Sequence, residues 1–138
     1  AAILDELHVP FVINQNRYSI LDRTVEKNGL KETAAKLGKG IITFSPLAQG
    51  RLTDRYLHGI PADSRVHTDG RFLKENDLAA ARGQTLAEMA LAWLLAKEEI
   101  TSVLVGASRP SQILDNIKAV ENTGFTAEEL AEIDRLSV

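Results

Sequence analysis

Short apolar runs rich in β-branched residues recur along the chain and are flanked by turn-forming residues. Residues 9–14, 41–44 and 101–105 have this pattern, which predicts three buried strands. The stretch that follows the second run is long, polar and interrupted by glycine and proline, so we expect an extended loop over residues 45–77. Loops of this length within a compact domain are usually functional or disordered.

Several other stretches carry apolar residues at helical spacing. Residues 23–37 predict a helix that is broken near Asn28-Gly29, with glycines at 38 and 40 to end it. Residues 1–6 predict the middle of an amphipathic helix without a cap, so we expect further sequence to precede them.

Three more helices are predicted from their capping residues. Thr85 and Thr126 each lie three residues before a glutamate, which is the spacing of a capping box. Ser108 and Pro110 predict the cap and the first turn of a helix over residues 108–120. The residues expected to face inward from the predicted helices are Leu30, Ala34, Leu37, Leu86, Met89, Ala90, Trp93, Leu94, Leu130, Ile133 and Leu136.

The order of these elements predicts the fold class. Fully apolar short strands that alternate with helices are typical of a parallel sheet covered by helices. Three strands are too few to close a barrel, so we expect part of a larger α/β fold, most naturally an eight-stranded (β/α)8 barrel of about 250 residues.

Composition narrows the function classes. With 138 residues and a formal net charge of −3, the chain has the size of one domain and no basic character that would favour nucleic acid. The absence of cysteine excludes disulfides, thiolate zinc sites and cysteine nucleophiles, and it is compatible with the reducing cytoplasm. No apolar run is long enough to span a bilayer, and residues 1–6 have no signal-peptide pattern.

Candidate binding groups follow each predicted strand. Ligands of such barrels bind at the carboxyl ends of the strands, where this chain has residues 15–19, 44–50 and 106–112. Gln15 offers an amide, Phe44 a ring for stacking, and residues 45–50 offer backbone N–H groups for phosphate oxygens. Ser108 and Arg109 lie at a helix start, which favours an anion. Taken alone, this last pair fits a helix cap beside a solvated charge better than an anion site.

The three segments together resemble a known family, although the chain has neither a G-x-G-x-x-G fingerprint nor a P-loop. The sequences QNRYS, FSPLAQG and GASRPSQILDN, in this order, resemble the aldo-keto reductases over essentially the whole chain. The branch that it resembles contains bacterial glyceraldehyde-phosphate-type reductases and potassium-channel β-subunits. The resemblance implies that residues 1–138 are a partial aldo-keto reductase domain, the C-terminal portion of a (β/α)8 TIM barrel.

The resemblance also implies NADP(H) as cofactor. The resemblance implies that Gln15 holds the nicotinamide carboxamide and that Phe44 stacks on the nicotinamide ring. It also implies that Ser108 and Arg109 form the pocket of the 2′-phosphate. The implied cofactor-binding residues are Gln15, Phe44, Ser45, Pro46, Leu47, Ala48, Gln49, Gly50, Arg55, Arg65, Gly106, Ser108, Arg109, Gln112, Asp115 and Asn116.

No catalytic residue is implied for this chain. Family chemistry is hydride transfer to a carbonyl carbon with proton donation by a tyrosine, and the family's tyrosine, lysine, aspartate and histidine precede the segment matched here. Tyr18 and Tyr56 lie in other segments, and the three histidines are expected to have surface roles. Between Lys74 and Ala80 the chain lacks a longer helical insertion of the related branch, so we expect either a shortened loop there or residues missing from this sequence.

Three interpretations of function stay open at this point. The first is an NADPH-dependent reductase of aldehydes or ketones, with a small carbonyl substrate, no nucleic-acid or membrane partner, and a homo-oligomeric state. The second is a regulatory subunit that binds a redox cofactor in order to signal, as in the potassium-channel β-subunits. The third is a structural half-barrel without ligand affinity of its own.

Overall fold

A computed structural model of the protein describes residues 2–53 and 71–137, with the side chains of 71–75 left aside. These residues form three strands, β1 (Ile13–Arg17), β2 (Gly40–Phe44) and β3 (Ile100–Val103). Their helices are α1 (Ala2–Glu6), α2 (Thr24–Lys27), α3 (Leu30–Lys36), α4 (Arg71–Ala81), α5 (Leu86–Leu95), α6 (Pro110–Ile117) and α7 (Ala127–Ser137), with 3-10 turns at Ala48–Gly50 and Lys118–Glu121.

The three strands form one parallel sheet in the order β1-β2-β3, which confirms the predicted strand direction. Cross-strand pairs between β1 and β2 run from Ile13 opposite Gly40 to Arg17 opposite Phe44. The sheet is tightly packed at Gly40, because a Cβ there would lie 2.7 Å from the Thr101 hydroxyl oxygen. A larger residue at this position would therefore require the Thr101 and Ile13 side chains to shift.

The prediction for the first strand is wrong in its bounds and in its burial. The strand begins at Ile13 rather than at residue 9, and Val12 is exposed. The strand consists mainly of polar residues, so pairing with β2 rather than hydrophobicity sets its ends. The parallel ladder thus extends the chain through Asn14 to Arg17.

Helix α5 forms the centre of the core. The capping box predicted at its start is present, with the Thr85 hydroxyl accepting from the Glu88 N–H at 3.2 Å and the Glu88 carboxylate accepting from the Thr85 N–H at 2.8 Å. Its five predicted inward residues are all buried, and its remaining positions up to Leu94 are largely buried too. A helix that is apolar on nearly every side is typical of a central position in the fold.

A charged cluster surrounds the only tryptophan of the chain. The Trp93 ring lies 4.7 Å from the Arg23 guanidinium carbon and 4.0 Å from the Lys97 amine. The Tyr18 ring packs edge-on against Trp93 at 5.4 Å, and its hydroxyl donates to the Glu26 carboxylate. The cluster therefore joins the end of β1 to α2 and α5.

Arg82 connects the end of α4 to the last third of the chain. Its guanidinium donates to Glu129 at 2.5 Å, to the Gly124 carbonyl at 2.8 Å and to the Gln84 side chain at 2.9 Å. Its carbon centre lies 3.7 Å from the centre of the Phe125 ring. The Arg82 side chain is only 4% exposed, so this guanidinium acts as a buried junction.

Two further predictions need correction. The predicted loop over residues 45–77 ends earlier, since α4 begins at Arg71, and helix-favouring residues such as alanine and leucine dominate its second half. The predicted cap Ser108 lies one position too early, because Arg109 occupies the cap position and Pro110 the first turn of α6. The break of the helix at Asn28-Gly29 is confirmed, as is the capping box at Thr126.

Most of the exposed large apolar side chains lie in two stretches, residues 3–13 and α6 with its extension. Of the predicted inward residues, Leu37 and Leu130 are also exposed, whereas Ile133 and Leu136 are buried. The exposed residues of α6 and its extension are Ile113, Leu114, Ile117 and Val120. Among the described helices none combines the length and apolarity needed to cross a membrane.

Candidate functional site

A groove of about 1180 Å³ opens at the carboxyl ends of β2 and β3 and continues along the start of α6. This volume exceeds that of pockets for drug-sized ligands and leaves room for a dinucleotide. The predicted residues that line it are Phe44, Ser45, Pro46, Leu47, Gln49, Gly50, Gly106, Ser108, Arg109, Gln112, Asp115 and Asn116.

The segment after β2 presents its backbone to the groove in an uncommon conformation. Ser45, Ala48 and Gln49 have φ of 53°, 48° and 61°, in the left-handed region that few non-glycine residues adopt. The backbone N–H groups of Leu47 and Gln49 donate no hydrogen bond to any described residue. Free N–H groups in such a turn suit phosphate oxygens, so this segment fits the cradle expected for the pyrophosphate.

Phe44 ends β2 and is half-buried, with its ring on the groove. The Phe44 carbonyl oxygen accepts from the Tyr18 N–H at 3.3 Å, which ties the ends of β1 and β2 together. The Arg17 guanidinium lies 5.8 Å from the centre of the Phe44 ring. A flat ring in a half-buried position is suited to stacking against a second planar group.

The start of α6 is organised by Gln112. Its side-chain oxygen accepts from the Ser108 N–H at 2.8 Å, the Ser108 hydroxyl at 3.1 Å and the Arg109 N–H at 3.2 Å. Arg109 itself is exposed, and no hydrogen bond or ion pair to its guanidinium occurs within the described part of the chain. The guanidinium is thus available for a charged ligand group.

Asp115 and Asn116 follow on the groove side of the same helix. Asp115 accepts from the Lys118 amine at 2.9 Å, and both side chains are exposed. This hydrogen bond and the charge of Asp115 raise the pKa of Lys118. Asp115 is therefore partly neutralised by its neighbour, while Asn116 is half-buried and offers an uncharged amide.

Two predicted residues in the described part of the chain, Gln15 and Ala48, do not line the groove. Gln15 is exposed on β1, on the same face of the sheet as Arg17 and Phe44, because cross-strand partners share a face. Ala48 packs against the core below the groove. Arg55 and Arg65 lie outside the described residues.

Some groove residues were not singled out from the sequence. They are Thr53, Thr85, Ala87, Leu104 and Val105. Leu104 and Val105 follow β3 directly, so their place at the carboxyl end of a strand could have indicated them. Thr85 was recognised only as a helix cap.

Other reactive groups lie away from the groove. Tyr18 is fully buried, and desolvation together with its hydrogen bond to Glu26 raises the pKa of its hydroxyl above the ordinary 10.0. His8 is exposed, and the other two histidines lie outside the described residues. The residues of 2–53 and 71–137 contain no group of three His, Asp or Glu side chains that could hold a metal ion.

Comparison with known proteins supports the assignment of the fold. The chain is 46% identical over 150 aligned positions to L-glyceraldehyde 3-phosphate reductase of Escherichia coli O157:H7, and 44% identical to that of strain K12. Each alignment covers 96% of this chain and 43% of the relative, so the chain spans less than half the length of these proteins. The 150 positions exceed the length of the chain, so the relatives carry residues without a counterpart here.

Solved structures give the same result. A thermostable aldo-keto reductase, Tm1743, in complex with the inhibitor epalrestat, superposes with a TM-score of 0.76 at 27% identity, over 98% of this chain and 43% of that protein. The holo form of aldo-keto reductase AKR11C1 from Bacillus halodurans gives a TM-score of 0.73 at 28% identity, over 98% and 46%. The solved structures confirm the predicted part of a (β/α)8 barrel. The Escherichia coli relatives confirm the predicted branch of glyceraldehyde-phosphate-type reductases. Since the sequence pattern of the aldo/keto reductase family matches residues 1–138, the chain belongs to that family.

Proposed function

We propose that this chain supplies the cofactor-binding part of an NADPH-dependent oxidoreductase that reduces aldehydes or ketones to alcohols. The observation that carries the proposal is the groove, where Phe44, the turn after it and Arg109 line one continuous surface. A ring for stacking, free backbone N–H groups and an unpaired guanidinium are three different groups of the kind that a phosphorylated dinucleotide needs.

Each of these groups has one role in the proposal. Phe44 holds the nicotinamide ring in one orientation, and the N–H groups of Leu47 and Gln49 bind pyrophosphate oxygens. Arg109 binds the 2′-phosphate in a charge-assisted fork, which favours NADPH over NADH. The cofactor, when bound, supplies the hydride, and none of the described residues is assigned the proton donor.

The proposed partner is a small carbonyl compound, with no nucleic acid or membrane involved, and the assembled protein is proposed to be a homo-oligomer. The curated relatives are named L-glyceraldehyde 3-phosphate reductases, which makes short hydroxyaldehydes the first substrates to try. The proposal for ketones rests on the wider chemistry of carbonyl reduction.

The test is an assay of the full-length protein with NADPH and a panel of aldehydes. We expect an aldehyde-dependent loss of nicotinamide absorbance and a slower rate with NADH. Arg135→Ala is the matched control for Arg109→Ala, because Arg135 is an exposed arginine that pairs with Glu132 on α7, away from the groove. Tight NADPH binding without turnover would instead favour a regulatory subunit, and no binding at all would reject both.

A further inference from the structure

Arg17 places an unpaired positive charge beside the ring end of the groove. It is the last residue of β1, it is exposed, and it lies directly opposite Phe44 in the sheet register. Its guanidinium carbon lies 5.8 Å from the centre of the Phe44 ring, within the range of a cation–π contact. In the described part of the chain no carboxylate pairs with it, so its charge is available to a ligand.

This charge is separate from the one proposed for the 2′-phosphate. Arg17 ends β1 while Arg109 follows β3, and β2 with Phe44 lies between them. Neighbouring strands lie about 4.8 Å apart, so β1 and β3 lie about 10 Å apart on either side of β2. Arg109 lies farther along the chain than β3, at the start of α6, so the two arginines follow different, non-adjacent strands of the sheet.

From this placement we infer that Arg17 is a specificity-determining residue that binds the phosphate group of a phosphorylated aldehyde substrate. The inference rests on the proposed function, because it takes the carbonyl to react beside the ring that Phe44 positions. An aldehyde in that place has Arg17 as its adjacent cation. A guanidinium binds phosphate by two parallel charge-assisted hydrogen bonds, and the contact with Phe44 holds it in place beforehand.

The test compares two aldehydes that differ only in the phosphate, glyceraldehyde 3-phosphate and glyceraldehyde, in the full-length protein with NADPH. We expect Arg17→Gln to lower kcat/KM for the phosphorylated aldehyde about 10- to 100-fold and to leave that for glyceraldehyde within about twofold. Arg17→Lys retains the charge and should restore part of the loss.

Lys39→Gln is the matched control. Lys39 is also a cation above an aromatic ring, 5.5 Å from the centre of Phe11, but it precedes β2 at the opposite end of the sheet. Its neutralisation should leave the ratio of the two kcat/KM values unchanged. Equal losses for both aldehydes in Arg17→Gln, or an unchanged ratio, would overturn the inference.

A binding measurement separates this inference from the proposed function. Glycerol 3-phosphate cannot be reduced, so its dissociation constant can be measured by calorimetry whether or not the protein turns over aldehydes. We expect the constant to rise at least tenfold in Arg17→Gln and to stay unchanged in Lys39→Gln. Failure to reduce either aldehyde rejects the proposed function alone, whereas equal affinity of the parent protein and Arg17→Gln rejects the role of Arg17.

Discussion

The side-chain oxygen of Gln112 accepts hydrogen bonds from both the backbone N–H and the hydroxyl of Ser108, at 2.8 and 3.1 Å. Together with the Arg109 N–H, three donors converge on one oxygen at the start of α6. A phosphate oxygen binds to donors of the same kind at helix starts. Gln112 therefore influences the binding of the proposed 2′-phosphate.

We predict that Gln112→Glu selects against NADPH. The carboxylate can accept from the same donors, but it adds a negative charge facing the phosphate, which should weaken NADPH binding by about tenfold or more relative to NADH. Dissociation constants of both cofactors, measured by calorimetry on the full-length protein, check this. A parallel change for NADPH and NADH would contradict it.

Arg109→Ala should weaken NADPH binding and leave NADH nearly unchanged. A hydrogen bond to a charged group contributes about 1.5–3 kcal/mol, which corresponds to roughly a ten- to hundredfold loss of affinity. The same calorimetric comparison measures it. If both cofactors lose affinity equally, Arg109 does not bind the 2′-phosphate.

Phe44→Leu separates stacking from packing. Leucine keeps much of the apolar volume, so the stability cost should stay below about 1.5 kcal/mol. Loss of the ring should let the nicotinamide tilt, and a misplaced reacting group can cost on the order of a hundredfold in kcat. Thermal melting and steady-state kinetics of the same preparation decide between them, and a destabilised variant with normal kcat would remove Phe44 from the site.

Tyr18 should make the fold sensitive to alkaline pH. Its pKa is raised in the folded chain by burial and by Glu26, so the folded state keeps its proton while the unfolded state loses it above pH 10. The stabilisation is thus complete below pH 10 and is lost as pH rises, at up to about 1.4 kcal/mol per pH unit. Burial lowers the pKa of Lys97, which has the opposite effect on stability.

The Tyr18→Phe variant isolates this contribution, since Lys97 is unchanged in it. Urea unfolding at pH 8 and at pH 11 should show a smaller loss of free energy of unfolding in the variant than in the parent chain. Identical losses in both would show that other groups cause the alkaline sensitivity.

Arg82→Met should destabilise the chain by about 3 kcal/mol, because it removes the buried guanidinium that donates to the Glu129 carboxylate and the Gly124 carbonyl. Arg135→Met is the control, since its pair with Glu132 on α7 is exposed and should have no measurable effect. Denaturant unfolding compares the two variants. Equal stability of both would show that the buried junction contributes little.

The elements with a local signal were predictable from the sequence. The capping boxes at Thr85 and Thr126 are indicated by the spacing of threonine and glutamate. The segments that line the groove were predicted from the rule that ligands bind at the carboxyl ends of parallel strands. The bounds of β1 were not predictable in this way, because its polar residues are held in the sheet by β2.

The hydrogen-bond and contact partners of individual side chains could not be predicted from the sequence either. Gln112 was expected to bind the cofactor, but which donors its oxygen meets depends on the turn at Ser108, one residue before the cap. Arg17 is one of many surface cations in the sequence, and only the register of β1 against β2 places it beside Phe44.

The position of Trp93 gives the chain a built-in optical probe. It is the sole tryptophan here, it is 1% exposed, and it lies between Arg23 and Lys97 rather than on the groove. Its emission should therefore be that of an indole shielded from water and should shift to longer wavelength when unfolding exposes the ring, with little direct response to a ligand in the groove. Excitation of this one indole can then follow the folding of the core separately from occupancy of the groove.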